Sequence, residues 1–235
     1  MPGDIMIIIF LKIDTVDLLT HVQFVCSSWK KLAKEPRLFH TIVIPKALAR
    51  HTCNVKDLAK EAVDRSCGEL LEFYNENYCG DDLLLYVVNE SKSLRSFRVC
   101  HGSNICGDII LELARKHPLL EELEFSERFR YYGIDIVFKE VGHSCLRLKR
   151  FTLTLGGEFF GDCEIINDIA LAIAENIPQL HCLRLSGEFS GVGCKAILDG
   201  CSKLECLDHR KFNFNVLEQN LLKNFVGKIK DLRLW

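Results

Sequence analysis

Residues Leu120–Phe125 read LEELEF: an apolar residue, a second three positions later and a third two after that. The same spacing returns as Leu94-Phe97-Val99, Leu148-Phe151-Leu153, Leu180-Leu183-Leu185 and Ile229-Leu232-Leu234. Weaker copies, Leu70-Phe73 and Leu204-Leu207, carry Asn75 and His209 in the third position. Successive copies lie about 24 to 32 residues apart, a period that signals stacked repeats. The closing pair of each copy alternates in and out, which predicts a short strand with one face inward. A helical stretch follows most strands: Asp82–Glu90, Asp108–Lys116, Asp135–Val141, Ile166–Glu175, Val192–Leu198 and Val216–Phe225. Clusters such as His117-Pro118, Asn176–Pro178 and Cys201-Ser202 then break the helix. No unit can bury its own apolar edge. The units must stack, which predicts an α/β solenoid with parallel strands on a concave side and helices on a convex side.

In such a strand the residues beside the inward apolar ones face the concave surface. One predicted column is Tyr74, Arg98, Glu124, Thr152, Arg184, Asp208 and Arg233, the candidate contacts for a bound protein. A neighbouring column is Glu72, Ser96, Glu122, Arg150, Cys182, Cys206 and Asp231. The loop Gly156–Asp162 (GGEFFGD) offers Phe159 and Phe160 as an aromatic anchor or as packing beneath the loop.

The chain has 235 residues, 48% of them apolar, and a formal charge of −2, values that suit a folded protein. This balance argues against a nucleic-acid partner whose phosphates would need many cations. Glu61–Glu90 is mostly acidic and Lys203–Arg233 mildly basic. The 12 cysteines sit mainly inside apolar patterns, as at Val99-Cys100 and His181-Cys182, and are expected to be reduced and packed as small hydrophobes. MPGDIMIIIFLKID lacks the basic start and cleavage site of a signal peptide, and its apolar run is too short to span a bilayer. A cytoplasmic or nuclear protein with no membrane partner is expected. There the sequon Asn89–Ser91 would go unused.

No catalytic set emerges. Cys100, His101 and Cys106 lack the CxxC pairing usual in structural zinc sites, so no metal is expected. Neither His143/Cys145 nor His181/Cys182 reads as a nucleophile–base pair; His181 and Cys182 are adjacent, and adjacent residues on a strand point to opposite faces. Gly187, Gly191 and Gly193 fit neither phosphate-loop spacing and read as repeat-loop glycines. No cofactor is called for.

The N-terminal stretch MPGDIMIIIFLKIDTVDLLTHVQFVCSSWKKLAKEPRLFHTIVIP reads as a group of short amphipathic helices. Ile5, Ile8, Ile9 and Ile13 keep a helical spacing that ends at Asp14. Thr15 is a candidate cap for a second helix bearing Leu18, Leu19, Val22, Val25 and Cys26. A third carries Trp29 and Leu32 and is expected to stop at Pro36. So few residues cannot bury both faces of three helices, and part of their apolar surface should meet another chain or the rest of this one.

In order, Pro2, Asp4, Ile5, Ile9, Phe10 and Ile13, then Asp17, Leu18, Val22, Val25 and Cys26, then Trp29, Leu32, Leu38 and Phe39 resemble the F-box. Met1 stands where that family usually has Leu, and Phe39 where it usually has Trp. With the repeats, and with Ala62–Ser66 (AVDRS) before the first of them, the chain resembles plant-type F-box/leucine-rich-repeat receptors over nearly its full length. The resemblance implies an F-box over 1–45, a helical connector over 46–69 and about seven repeats over 70–235. It implies docking on a Skp-type adaptor, and through it a cullin, by Pro2, Ile5, Ile9, Ile13, Leu18, Val22, Val25 and Trp29. A target protein of unstated identity would bind the repeats, and the chain would be a non-catalytic subunit of an SCF ubiquitin ligase. The alternative is a repeat scaffold without adaptor affinity.

Overall fold

The computed structural model describes residues 3–46, 55–100, 106–126, 133–154, 163–186, 190–208 and 229–233. Its frame is a parallel sheet with eight strands among the described residues, in the order of the chain. The strands are β1 (Thr41–Ile44), β2 (Glu72–Asn75), β3 (Ser96–Cys100), β4 (Glu122–Ser126), β5 (Arg150–Thr154), β6 (Cys182–Ser186), β7 (Cys206–Asp208) and β8 (Asp231–Arg233). Each of the seven apolar copies forms its strand. The LEELEF pattern buries Leu120, Leu123 and Phe125, and the copies starting at Leu94, Leu148 and Leu180 likewise bury all three positions, while in the last copy Ile229 is buried and Leu232 half-buried. Phe73 stacks on Phe97 at 5.7 Å, and Phe97 meets Phe125 of the neighbouring inward column edge-on at 6.1 Å, so aromatic contacts run across β2, β3 and β4. Asn75 fills its apolar slot by satisfying itself: its amide donates to the Asn77 carbonyl and accepts from the Asn77 N–H, both at 3.1 Å.

Crossover helices pack on the inward face. They are α4 (Val55–Arg65), α5 (Asp81–Glu90), α6 (Gly107–Lys116), α7 (Ile134–Ser144), α8 (Cys163–Asn176) and α9 (Gly191–Gly200). The expected segment Val216–Phe225 lies outside the described residues, as does the Gly156–Asp162 loop. Gly191 and Gly193 are not loop residues: Ser190 caps α9 by accepting from the Val192 N–H at 3.2 Å, and both glycines lie in the first turn. Helices α5, α6, α7 and α9 end alike. Ser91, His117, Cys145 and Cys201 each donate a backbone N–H to a carbonyl one turn back and turn their side chains toward buried carbonyls. Cys145 is therefore a buried helix-end residue rather than a strand residue beside His143.

The N-terminal helices are α1 (Gly3–Phe10), α2 (Thr15–Thr20), a 3-10 turn (Val22–Phe24), α3 (Ser27–Leu32) and a second 3-10 turn (Pro36–Phe39). Three local expectations change. Helix α1 ends at Phe10 and buries Met6, Ile7 and Phe10, the face opposite to Ile5, Ile8 and Ile9. Asp14, not Thr15, caps α2 by accepting from the Asp17 N–H at 2.8 Å, because Asp14 holds the extended backbone a cap requires. Helix α3 stops at Leu32, and Pro36 opens the second 3-10 turn, where its missing N–H costs nothing.

Strand β1 was not anticipated, and it lies within the first forty-five residues. Its register with β2 makes it the first strand of the sheet. Thr15 occupies its outer edge: the hydroxyl accepts from the Val43 N–H at 3.4 Å and faces the Thr41 carbonyl at 3.5 Å. A side chain of α2 thus stands where a further strand would have donated and accepted. The connector helix α4 packs against β1, α2 and the second 3-10 turn, as well as against α5. Arg65, within the AVDRS motif, donates to the Ala33 carbonyl at 3.0 Å and to the Gln23 side chain at 2.8 Å, and its guanidinium lies over the Phe39 ring. The helical module and the repeats share one hydrophobic core.

Candidate functional site

Among the described residues two surfaces stand out as candidate contact faces. The first is apolar and belongs to the N-terminal helices. Ile5, Ile8 and Ile9 on α1 are 47%, 58% and 41% exposed, and Phe24 and Val25 after α2 are 68% and 62% exposed. Large side chains concentrated in so short a stretch mark a contact surface rather than scattered exposure. Of the residues expected on a docking edge, Ile5, Ile9 and Val25 lie on this surface, and Pro2 is outside the described residues. Ile13 is half-buried beside a cavity of about 430 Å³ bounded by the α1–α2 turn, the second 3-10 turn and β1. Trp29 is also half-buried, packed edge-on against Phe10 at 5.3 Å.

Leu18 and Val22, also expected on the docking edge, do not lie on this surface. Both are buried, because α2 is only six residues long and turns its apolar side onto the core before the 3-10 turn reverses the chain. Ile8, Leu11 and Phe24 were missed. The run IMIIIFL is apolar at every position, so periodicity alone cannot say which side of α1 faces out.

The second surface is the open face of the sheet. The register aligns Tyr74, Arg98, Glu124, Thr152, Arg184, Asp208 and Arg233 across adjacent strands. It aligns Glu72, Ser96, Glu122, Arg150, Cys182, Cys206 and Asp231 in the same way. The columns are where the sequence puts them, but they are far from uniform. Asp208 is buried, with its carboxylate 4.0 Å from Arg184. Arg98 lies 4.3 Å above the Tyr74 ring, and the Tyr74 hydroxyl donates to Glu76, which pushes its pKa above the usual range together with burial.

Glu122 is the hub of the middle strands. It accepts from Ser96 at 2.8 Å and is gripped by both arms of Arg150 at 3.2 Å, with Arg98 at 4.0 Å. Burial pushes its carboxyl up, but the bonds from Arg150 and Ser96 and the charges of Arg150 and Arg98 outweigh it and hold the group below its ordinary range. Farther along, Glu124, Thr152, Thr154, Arg184, Ser186 and Asp208 line a hollow of about 260 Å³, room for a side chain rather than a whole cofactor. Tyrosine and arginine on a rigid sheet are the residue types that carry most energy in protein contacts.

Among the described residues no group of three or more metal-ligating side chains converges, and no helix is long and apolar enough to cross a membrane. The Cys100–Cys106 cluster is not assembled by the described residues, and His101 lies outside them. Cys145 and Cys194 have thiols pushed up to about 12 by burial, which keeps them protonated and inert.

The F-box domain model matches residues 1–41. Along 99% of its length the chain is 37% identical to putative F-box/LRR-repeat protein 22 of Arabidopsis thaliana, covering 75% of that protein. It is also 34% identical to F-box protein SKIP19 of the same plant, again covering 75% of it. The chain belongs to the F-box/leucine-rich-repeat family. Its α/β repeat architecture is shared with a chain in the crystal structure of the Rad7 and Elc1 complex of yeast, with a TM-score of 0.54 at 16% identity. That likeness covers 88% of this chain and 56% of the other. The F-box match thus falls on the helices that expose Ile5, Ile8 and Ile9, and the repeats supply the polar open face.

Proposed function

We propose that this F-box/leucine-rich-repeat protein is the target-recognition subunit of an SCF-type cullin–RING ubiquitin ligase. The observation that carries the reading is the two-sided α1. Met6, Ile7 and Phe10 hold the helix to the core, while Ile5, Ile8 and Ile9 are left uncovered beside Phe24 and Val25. In this reading that face docks on a Skp-type adaptor, which connects the chain to a cullin. The open face of the repeats holds a target protein through residues such as Tyr74, Arg98, Glu124, Thr152, Arg184 and Arg233. The chain contributes no catalytic group. Its effect is to raise the effective concentration of the target near a ubiquitin-loaded enzyme. The cytoplasm or nucleus is the compartment that suits such an assembly and a set of reduced cysteines.

Direct binding of the purified full chain to a Skp-type adaptor tests the reading. Ile9→Asp should weaken binding by at least about tenfold, since it places a charge in an apolar contact. Leu18→Ala should act through stability instead, because Leu18 is a core residue. A well-folded chain without adaptor affinity would leave a repeat scaffold and remove the ligase role.

A further inference from the structure

One row of the open face combines features that neither the fold nor the proposed role requires. Arg150 on β5, Cys182 on β6, Cys206 on β7 and Asp231 on β8 are successive register partners. Both cysteines are free and half-exposed, in contrast to Cys145, Cys194 and Cys201, which are buried. Paired residues on adjacent parallel strands send their side chains to the same face, with backbones about 4.8 Å apart. That separation lies within the Cα range that a disulfide tolerates. The Cys206 sulfur lies 3.9 Å from the Asp231 carboxylate.

The surroundings of the pair are unequal. Burial, the neighbouring Cys182 thiol and the Asp231 charge push Cys206 up to about 12, against a smaller opposing influence of Arg184. Cys206 is therefore the less ready nucleophile of the two. On its other side Cys182 is the register partner of Arg150. An attacking sulfur, an adjacent thiol that keeps its proton until needed, and partial exposure are the three parts of a reactive dithiol.

We propose that Cys182 and Cys206 form a redox-modification site on the open face, closing to an intramolecular disulfide with a low-molecular-weight disulfide as oxidant. The Cys182 thiolate attacks one sulfur of the oxidant RSSR, forming a Cys182–SR mixed disulfide and releasing RS⁻. Cys206 then gives up its proton and attacks the Cys182 sulfur. The Cys182–Cys206 bond forms and a second RS⁻ leaves. The two thiol protons end on the two RS⁻ groups, so the protein loses two hydrogens and RSSR becomes two RSH. The bond ties β6 to β7 in the column that faces a target. It does not touch the N-terminal helices, so adaptor docking is unaffected by its formation.

The test uses the folded full chain, incubated with oxidised glutathione, alkylated under native conditions and mapped by peptide mass. The wild type should yield a linked Cys182/Cys206 peptide pair, with Cys145, Cys194 and Cys201 recovered as free thiols. Cys206→Ser should trap glutathione on Cys182, because no partner remains to displace it. Cys182→Ser should abolish the link. Reduction with dithiothreitol should restore the starting mass. The proposal is overturned if both cysteines are recovered alkylated, or if wild-type Cys182 retains glutathione. Linkage of either residue mainly to another cysteine would overturn it as well. Adaptor binding measured on the same samples reports separately on the ligase reading.

Discussion

His117 ends α6 with its imidazole buried, one ring nitrogen 2.9 Å from the Val88 carbonyl and the other without a hydrogen-bond partner. Burial, assisted by the nearby Lys116 charge, holds its pKa below 6.5 despite the favourable Val88 contact. The folded chain thus keeps this histidine neutral where the unfolded chain would protonate it. Its contribution is complete above about pH 6.5 and declines as pH falls below that value, where the unfolded state binds the extra proton. Urea midpoints should fall from pH 7 to pH 5 in the wild type. His117→Gln, which keeps an amide donor for Val88 but does not titrate, should flatten that arm. At the same scale, Arg65 satisfies a helix-end carbonyl at Ala33 and the buried Gln23 amide at once. Arg65→Ala strands both and should cost about 2 kcal/mol in a denaturant titration.

Among the elements, neighbouring helices approach each other most closely where glycine allows it. A Cβ added at Gly142 in α7 would run into the carbonyl of Asn176 at the end of α8. One at Gly200 in α9 would lie 2.5 Å from the Ala174 carbonyl of α8. In both cases the obstacle is backbone and cannot rotate away. Gly142→Ala should therefore destabilise the chain by about 1–3 kcal/mol, the usual cost of overpacking, read as a lower thermal midpoint. Gly133 makes a useful contrast. It has a φ of +74° but nothing within 4 Å of an added Cβ, so substitution there acts through backbone strain alone. Strand β1 shows how one element serves two modules. It belongs to the sheet by register, yet its outer edge is closed by Thr15 of α2.

Over the whole molecule, the N-terminal helices and the repeats are coupled because their buried residues form one cluster. The two faces left over are chemically different, one apolar and one a mesh of arginine–carboxylate pairs. Substitutions should sort accordingly. Ile9→Asp lies on an uncovered surface and should leave the melting curve unchanged while removing adaptor binding. Leu123→Asp puts a charge at a position 1% exposed in the centre of the stack and should abolish the cooperative transition, as followed by circular dichroism. Retention of a wild-type melt by Leu123→Asp would contradict the register.

The repeat was legible from the sequence because each strand meets the same neighbours, so one pattern recurs wherever the packing recurs. Leu123 and Phe125 could be assigned inward, and Glu124 outward, by alternation alone, and the seven strands with their polar columns followed from it. The site was less legible where local pattern is degenerate. The IMIIIFL run is apolar on every side, so only packing against α3, where Phe10 meets Trp29, decides that Ile5, Ile8 and Ile9 remain outside. Leu18 and Val22 look like the exposed Val25 in sequence, and a break in the helix separates them. The juxtaposition of Cys182 with Cys206 likewise depends on the register of two strands some two dozen residues apart, a tertiary property that neither cysteine's local sequence encodes.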